Sequence, residues 1–359
     1  MKIGIFGGSF NPVHKGHINV AKHAMSELNL DKLFFVPAYQ SPFKSKVKYL
    51  DSKDRVAMLN LVKPENTEVS LFEINRKGTS YTIDTIKYFR KNFPNAELFL
   101  LIGTDNLYKL HKWKDVETIA QEAQICIFRR DGNFSKVNIK KYGAKLLNNN
   151  NWVYSSSNAR RGDFDGLDDK VIEYIGNNKL LLLEIGRLSL SHKRHKHCLD
   201  AGSMAANLAK ANKMDAKQAW VAALMHDITK EWSNEKHKEY LLENGYDPSG
   251  TPELIWHQWT GALWLRNYYR VNDEEIVQAI FRHSNADAMP FESLTMLDKI
   301  VYVADKLCEG RRYPGIQAHR ELAMKDLDAG FKAAAKVATD YIIENYGSVN
   351  HFKLKKVGK

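Results

Sequence analysis

The sequence predicts an α/β region built on a parallel sheet, followed by an all-α region. Three observations carry this expectation. Short β-rich runs alternate with helical stretches as far as about residue 183, whereas beyond about residue 186 the β-runs vanish and helices follow one another. The chain of 359 residues also exceeds the length at which one hydrophobic core stops growing. Strand–helix alternation is the pattern of a sheet covered by helices on both faces. The expected domains are 1–185 and 186–348, with a basic tail over 349–359 and the junction within 178–190.

In the first region, Ile3–Phe6, Lys32–Val36, Thr67–Phe72, Glu97–Ile102 and Gln124–Phe128 read as buried strands. Between them, 17–29, 52–63, 82–92 and 114–122 read as helices. The asparagine run 148–151 is expected to be a loop without chemistry. In the second region, helices are expected over 196–212, 215–228, 234–244, 251–269, 273–283, 293–308 and 319–345. Most carry apolar residues one turn apart, as in Leu297, Ile300, Val301 and Ala304. Trp220–Met225 is apolar on every side, the composition of a central, buried helix.

Composition narrows the class. Apolar content of 44% and charged content of 26% are those of a globular protein. No run of about 18 apolar residues occurs, so no membrane span is expected. The N-terminus enters a strand directly, without a secretory pattern. Cys126, Cys198 and Cys308 are odd in number and far apart, which fits free thiols in a reducing cytoplasm. Net charge is +11; the first 185 residues hold 28 Lys/Arg against 20 Asp/Glu, and the remainder 25 against 22. The basic residues are scattered, which reads as a lysine-rich solvated surface suited to small anionic substrates. No nucleic-acid partner is expected, and a homo-oligomer is left open.

The strongest local signal is Gly7-Gly8-Ser9-Phe10-Asn11-Pro12-Val13-His14-Lys15-Gly16-His17, directly after the first strand. Glycines let the backbone approach a ligand closely, and a helix N-terminus presents free N–H groups to an anion. His14 and His17 stand one turn apart and can grip the same phosphate chain. Other segments suit the same chemistry. Ser41-Pro42-Phe43-Lys44 offers a cation near the same sheet edge, and Ser80-Tyr81-Thr82-Ile83-Asp84-Thr85 opens a helix with hydroxyls. Asp105, in Ile102-Gly103-Thr104-Asp105, suits a ribose hydroxyl, and Trp113 could stack on a flat ring. Ser155-Ser156-Ser157-Asn158-Ala159-Arg160 ends in an arginine fit to clamp phosphate. Taken singly, Ser41-Pro42 is a turn, Ser155–Ser157 a loop or helix cap, and Trp113 a core side chain.

Over 1–183 the chain resembles the bacterial nicotinate-nucleotide adenylyltransferases of the HxGH nucleotidyltransferase superfamily, most closely in 7–17, 80–85 and 102–113. The resemblance implies a Rossmann-like domain that joins ATP to nicotinate mononucleotide and releases pyrophosphate, with Mg²⁺ on the triphosphate. It places Gly8, Ser9, Phe10, His14, His17 and Lys44 at ATP, the last three on its phosphates. Ser156, Ser157 and Arg160 would close on the triphosphate, Gly103 and Asp105 on the adenylate ribose. Tyr81, Thr82 and Trp113 would receive the pyridine carboxylate. Phe43 departs from a frequent histidine, and Ser157 and Ala159 replace a threonine and an isoleucine.

The helical region carries a second candidate site. His226-Asp227 ends the most apolar helix, where ionisable groups are costly to bury unless something pairs with them. His197, His257, His283 and Asp305 likewise lie on or beside apolar stripes. Four imidazoles and two carboxylates pointing inward suit two divalent cations with one carboxylate bridging, and N/O donors favour Fe, Mn, Co or Zn. His195 rivals His197; the latter shares a helix face with Ala201, Ala205 and Leu208.

These positions resemble the HD-domain phosphohydrolases, and over 187–345 their YqeK-like branch. The pattern is Arg194-x-x-His197, His226-Asp227-x-x-Lys230, His257, His283-Ser284 and Ala304-Asp305, then Gly310-Arg311. The resemblance implies metal-assisted, symmetrical hydrolysis of diadenosine tetraphosphate to two ADP, with Lys230 neutralising developing charge. Cys308-Glu309 departs from the usual Glu-Pro of that branch. The expected protein is thus a cytoplasmic bifunctional enzyme. The alternatives are a front half that adenylylates another phosphorylated acceptor, and a back half that senses nucleotides or hydrolyses a different one.

Overall fold

The computed structural model describes residues 1–42, 48–130, 134–346 and 354–356. The chain divides into two compact units, Met1–Tyr174 and Ile175–Lys359.

The first unit is built on six strands: β1 (Lys2–Gly8), β2 (Lys32–Pro37), β3 (Thr67–Val69), β4 (Glu97–Gly103), β5 (Gln124–Phe128) and β6 (Lys145–Leu146). Their order is β3-β2-β1-β4-β5-β6, and every pairing is parallel. Ile5 stands opposite Phe34 on β2 and Leu100 on β4. The core joins Ile3, Ile5, Leu98, Leu100, Ile125 and Ile127 to Ile83, Ile86 and Phe89 of the helix Thr82–Asn92. Such near-continuous apolar runs are what a sheet covered on both faces requires. The strand order reverses between β1 and β4, so the loops at their C-terminal ends part and leave a crevice there.

Two local expectations are corrected. The third strand stops at Val69, and Phe72–Arg76 forms a short helix. Tertiary packing decides this: Phe72 stacks on Tyr88 with ring centroids 4.2 Å apart, while buried Glu73 accepts the Thr85 hydroxyl at 2.5 Å. β6 was not expected, since two residues are too short to show a period.

The second unit contains the helices His192–Ala211, Ala216–Met225, Asn234–Glu243, Trp256–Leu263, Glu274–Arg282, Met296–Leu307, Ile316–Lys325 and Leu327–Tyr346. Side-chain caps set several starts: Ser191, Asp215, Ser233, Asp273 and Thr295 each accept a backbone N–H of the first turn. Each such cap contributes about 1 kcal/mol. Ala219 and Val221–Met225 are buried, as expected of the central helix. The single helix expected over 319–345 is two. Asp326 leaves helical geometry (φ −144°) and its Oδ1 accepts the Ala329 N–H at 3.0 Å. A Cβ on Gly330 would lie 2.4 Å from Ala323 Cβ, so the two helices cross closely at that glycine. The stretch expected as one helix over 251–269 opens as a 3₁₀ turn at Glu253–Ile255 and loosens to a π-turn at Trp264–Tyr268. Among the described residues, no helix is long and apolar enough to cross a membrane.

Candidate active sites

A cavity of about 680 Å³ opens at the C-terminal ends of β1 and β4. Gly8, Ser9, His14 and His17 line it from the β1 side, Gly103 and Asp105 from β4. Tyr81, Thr82, Trp113, Ser156, Ser157 and Arg160 complete the wall. Phe10 does not line it. It is fully buried beneath, with its ring 5.0 Å from that of His17 and 5.6 Å from those of Phe6 and Phe35. A Cβ on Gly8 would lie 2.9 Å from the Phe10 ring, so the turn closes over that aromatic floor only with glycine. Buried Arg55 ties the loop down by donating from Nη1 to Ser9 O at 2.8 Å. Lys44 and Phe43 lie outside the described residues.

His14 is the N-cap residue of the helix Lys15–Glu27, and its backbone N–H donates to His17 Nδ1 at 3.2 Å. The two rings are 3.6 Å apart and inclined by 30°. Burial, assisted by the Arg130 charge, pushes the His14 imidazole down to about 3, so it is neutral near pH 7. Arg160 is anchored along the wall: Nη1 donates to Asn11 O (2.8 Å) and Ser156 O (3.1 Å), and Nη2 to Ser157 Oγ (3.1 Å). Ser156 Oγ donates to Pro12 O at 2.9 Å, which fastens this short turn to the glycine loop.

Asp105 faces the cavity because residue 103 lacks a side chain: a Cβ on Gly103 would lie 2.3 Å from Asp105 Oδ1. Arg130, which the sequence reasoning missed, pairs with Asp105 at 3.2 Å and also lines the cavity. The asparagine run is not inert. Asn149 is buried, its Oδ1 accepts the Arg129 N–H at 2.7 Å and its Nδ2 donates to Arg129 O at 3.1 Å. It thereby holds the Arg129–Arg130 backbone at the mouth of β5. The rule that ligands sit at strand C-termini would have flagged this pair, which follows β5 as Asp105 follows β4. Trp113 both lines the cavity and packs against the core.

In the second unit, His197, His226, Asp227, His257, His283 and Asp305 converge. His197 Nε2 lies 3.3 Å from His226 Nε2 and 3.1 Å from Asp305 Oδ1. His257 Nε2 lies 3.2 Å from His283 Nε2. Asp227 joins the two groups: Oδ2 is 3.4 Å from His226 Nε2, and Oδ1 is 3.3 Å from His257 Nε2. All but His197 are almost fully buried. His195, by contrast, turns its Nδ1 toward Gly186, where a Cβ would lie 3.1 Å away.

Local geometry aims these rings. His226 and His283 each end a helix and place Nδ1 on a carbonyl of the preceding turn, Ala223 O at 2.6 Å and Ile280 O at 2.7 Å. A carbonyl only accepts, so Nδ1 of each ring holds a proton and Nε2 faces the cluster, a free lone pair on neutral His283 and one that a bound cation would uncover on His226 by displacing its second proton. Arg194 Nη1 lies 2.6 Å from Asp227 Oδ2; Arg311 Nη2 and Lys306 Nζ lie 2.6 and 2.8 Å from Asp305. Burial pushes both carboxyls up, but the His226 charge beside Asp227 and the Lys306 charge beside Asp305 outweigh it and hold them well below the usual range. Burial pulls His226 down, yet Asp227 and Asp305 reverse this and raise it. His257 stays well below its ordinary value through burial, and burial plus the His226 charge pushes His283 down to about 3. Lys230 Nζ rests 3.0 Å from His257 Nδ1 and donates to Leu254 O at 3.2 Å. This set of nitrogen and oxygen donors, with lone pairs directed inward, fits divalent cations.

Residues 5–162 match the cytidylyltransferase-like family, and residues 194–310 match the HD domain. A probable nicotinate-nucleotide adenylyltransferase/Ap4A hydrolase of Mycoplasma genitalium is 35% identical over 317 residues, covering 87% of this chain and 88% of that protein. A protein of the same description from Mycoplasma pneumoniae is 30% identical over 341 residues, covering 92% of this chain and 97% of its own. A probable nicotinate-nucleotide adenylyltransferase of Aquifex aeolicus is 42% identical over 149 residues, 40% of this chain and 88% of that one.

Proposed function

Because this chain belongs to the family of nicotinate-nucleotide adenylyltransferase/Ap4A hydrolases, we propose that its first unit transfers AMP from ATP to nicotinate mononucleotide and its second hydrolyses diadenosine tetraphosphate symmetrically to two ADP. The observation that carries the first assignment is the meeting of His14, His17, Asp105, Ser156, Ser157 and Arg160 around one cavity at the β1–β4 crevice.

The acceptor phosphate is already an anionic nucleophile, so no general base is needed. It attacks the α-phosphorus of ATP in line and pyrophosphate departs. The protein holds two anions against their repulsion and stabilises charge on the departing oxygens. His17 offers Nε2–H to the triphosphate, Gly8 and Ser9 offer backbone, and the Arg160 guanidinium lies along the facing wall. Asp105 takes the adenylate ribose, while Tyr81, Thr82 and Trp113 receive the pyridine ring. Mg²⁺ accompanies the triphosphate.

For the second unit, His197, His226, Asp305 and Asp227 would hold one cation, and His257, His283 and Asp227 the other. Fe, Mn, Co or Zn suits these donors. Bound cations supply Lewis-acid polarisation of a phosphoryl group. Arg194, Arg311 and Lys306 orient the two carboxylates, and Lys230 balances negative charge arriving with the substrate. The completeness of the six-residue donor set favours a hydrolase over a module that only senses nucleotides. Three free, buried thiols support a reducing, cytoplasmic setting.

The test is product analysis by mass. Purified protein with ATP and a panel of mononucleotides should yield nicotinate adenine dinucleotide in preference to other dinucleotides. With diadenosine tetraphosphate it should yield ADP alone; AMP plus ATP would overturn the symmetrical cleavage.

A further inference from the structure

The two halves of the His/Asp cluster are unequally furnished. Around Asp227 Oδ2 stand His197, His226 and Asp305, three further donors. Around Asp227 Oδ1, among the described residues, stand two imidazoles, with His257 Nε2 at 3.3 Å and His283 Nε2 at 3.8 Å. Two more polar groups face that second pair: the Lys230 ammonium, whose Nζ lies 3.3 Å from His257 Nε2 but which when charged has no lone pair to offer a cation, and one hydroxyl. Ser284 Oγ lies 3.1 Å from His257 Nε2 and 3.1 Å from His283 Nε2.

The hydroxyl is held there by a buried strut. Ser284 donates its backbone N–H to Gln258 Oε1 at 3.0 Å, and Gln258 is fully buried on the same helix as His257. Ser284 also directly follows His283, whose ring is fixed through Nδ1 on Ile280 O. The two imidazoles and this hydroxyl are therefore positioned by one rigid corner, where the helices Trp256–Leu263 and Glu274–Arg282 pack together.

We propose that Ser284 Oγ is the fourth protein donor of the His257/His283 cation position. The assignment rests on reading the cluster as a two-cation centre. A hydroxyl adds an oxygen without adding a negative charge. The two positions thus differ in kind, with a second carboxylate at one and a neutral oxygen at the other, and the Ser284 position is the weaker and more readily exchanged.

The full-length, metal-stripped chain is titrated with Co²⁺ alone, followed by calorimetry and absorption. The wild type should bind two equivalents of unequal affinity. Ser284→Ala should leave the tighter equivalent unchanged and weaken the other by about 10–100-fold. Ser284→Cys should add a thiolate-to-cobalt charge-transfer band, because sulfur then stands where the oxygen stood. Two equivalents of unchanged affinity in Ser284→Ala, with no such band in Ser284→Cys, would overturn the Ser284 assignment alone. Equal weakening of both equivalents, with a lowered melting point of the metal-free variant, would also overturn it in favour of a structural role. Fewer than two equivalents in the wild type would overturn the two-cation reading and this assignment with it.

Discussion

His17 Nδ1 accepts the backbone N–H of His14 at 3.2 Å, which puts the ring proton of His17 on Nε2. One hydrogen bond thus closes the helix start and presents a donor to the cavity without a formal charge. Replacing His17 with alanine removes that donor, and kcat of adenylyl transfer should fall about 10²–10³-fold. Steady-state kinetics with circular dichroism checks this; near-normal turnover in a folded variant would take His17 out of the mechanism.

The neutral state of His14 has a stability signature. Its imidazole binds a proton near 6.5 when unfolded but only near 3 in the fold, because burial opposes the charge. Its contribution is therefore fully present above pH 6.5 and is lost as pH falls from 6.5 toward 3. His14→Gln should flatten that part of the acid-unfolding profile, and histidine-selective NMR should show a ring that fails to titrate near 6.5 in the nucleotide-free protein.

Gly103→Ala places a methyl 2.3 Å from Asp105 Oδ1 and 3.1 Å from Phe128 Cε2. The flexible carboxylate yields first. KM for ATP should rise roughly tenfold, the loss of about one charged hydrogen bond, with kcat affected less. Measuring the two constants separately decides the matter, since an equal fall in kcat would point to displaced phosphates instead of a displaced ribose.

Chelation should divide the two activities. Stripping transition metals with a chelator and restoring Mg²⁺ should abolish dinucleoside-polyphosphate hydrolysis while adenylyl transfer persists. Restoring Co²⁺ or Mn²⁺ at about 100 times the dissociation constant of a position should stabilise the second unit by about 2.7 kcal/mol for that position, visible in differential scanning calorimetry.

Asp298 is fully buried and pairs with Arg282 at 2.8 Å, while its Oδ2 also accepts the Thr295 N–H. Asp298→Ala leaves the partly exposed Arg282 without its partner and breaks the helix cap. It should destabilise the second unit by about 2–3 kcal/mol. Asp298→Asn should cost less, because an amide oxygen still accepts the Thr295 N–H.

Some of this was written in local pattern and some was not. The Gly7–His17 stretch, the strand alternation and the buried His226-Asp227 pair were legible because each reports a local demand: backbone approach, pleat period, or the cost of burying charge. Arg130 and Asn149 were not, because an arginine after a strand and an asparagine in a polar run look like ordinary surface until the strand order brings them to one crevice. Ser284 was legible only as a neighbour of His283; which nitrogens its hydroxyl faces is a matter of how two helices meet. The break at Asp326 has no local signature because the apolar period runs through it, and the close crossing at Gly330 shows only when Ala323 packs on it.

The sequence by itself determined two kinds of architecture, two sets of chemical groups and the family to which they belong. It could do so because periodicity, glycine placement and buried charge act over a few residues. Only the tertiary structure decided that Phe10 is floor instead of contact, and that Asp227 stands between two groups of imidazoles. Those outcomes depend on which helix faces and strand ends pack together, and the packing energy that selects among them is shared by residues far apart in the chain.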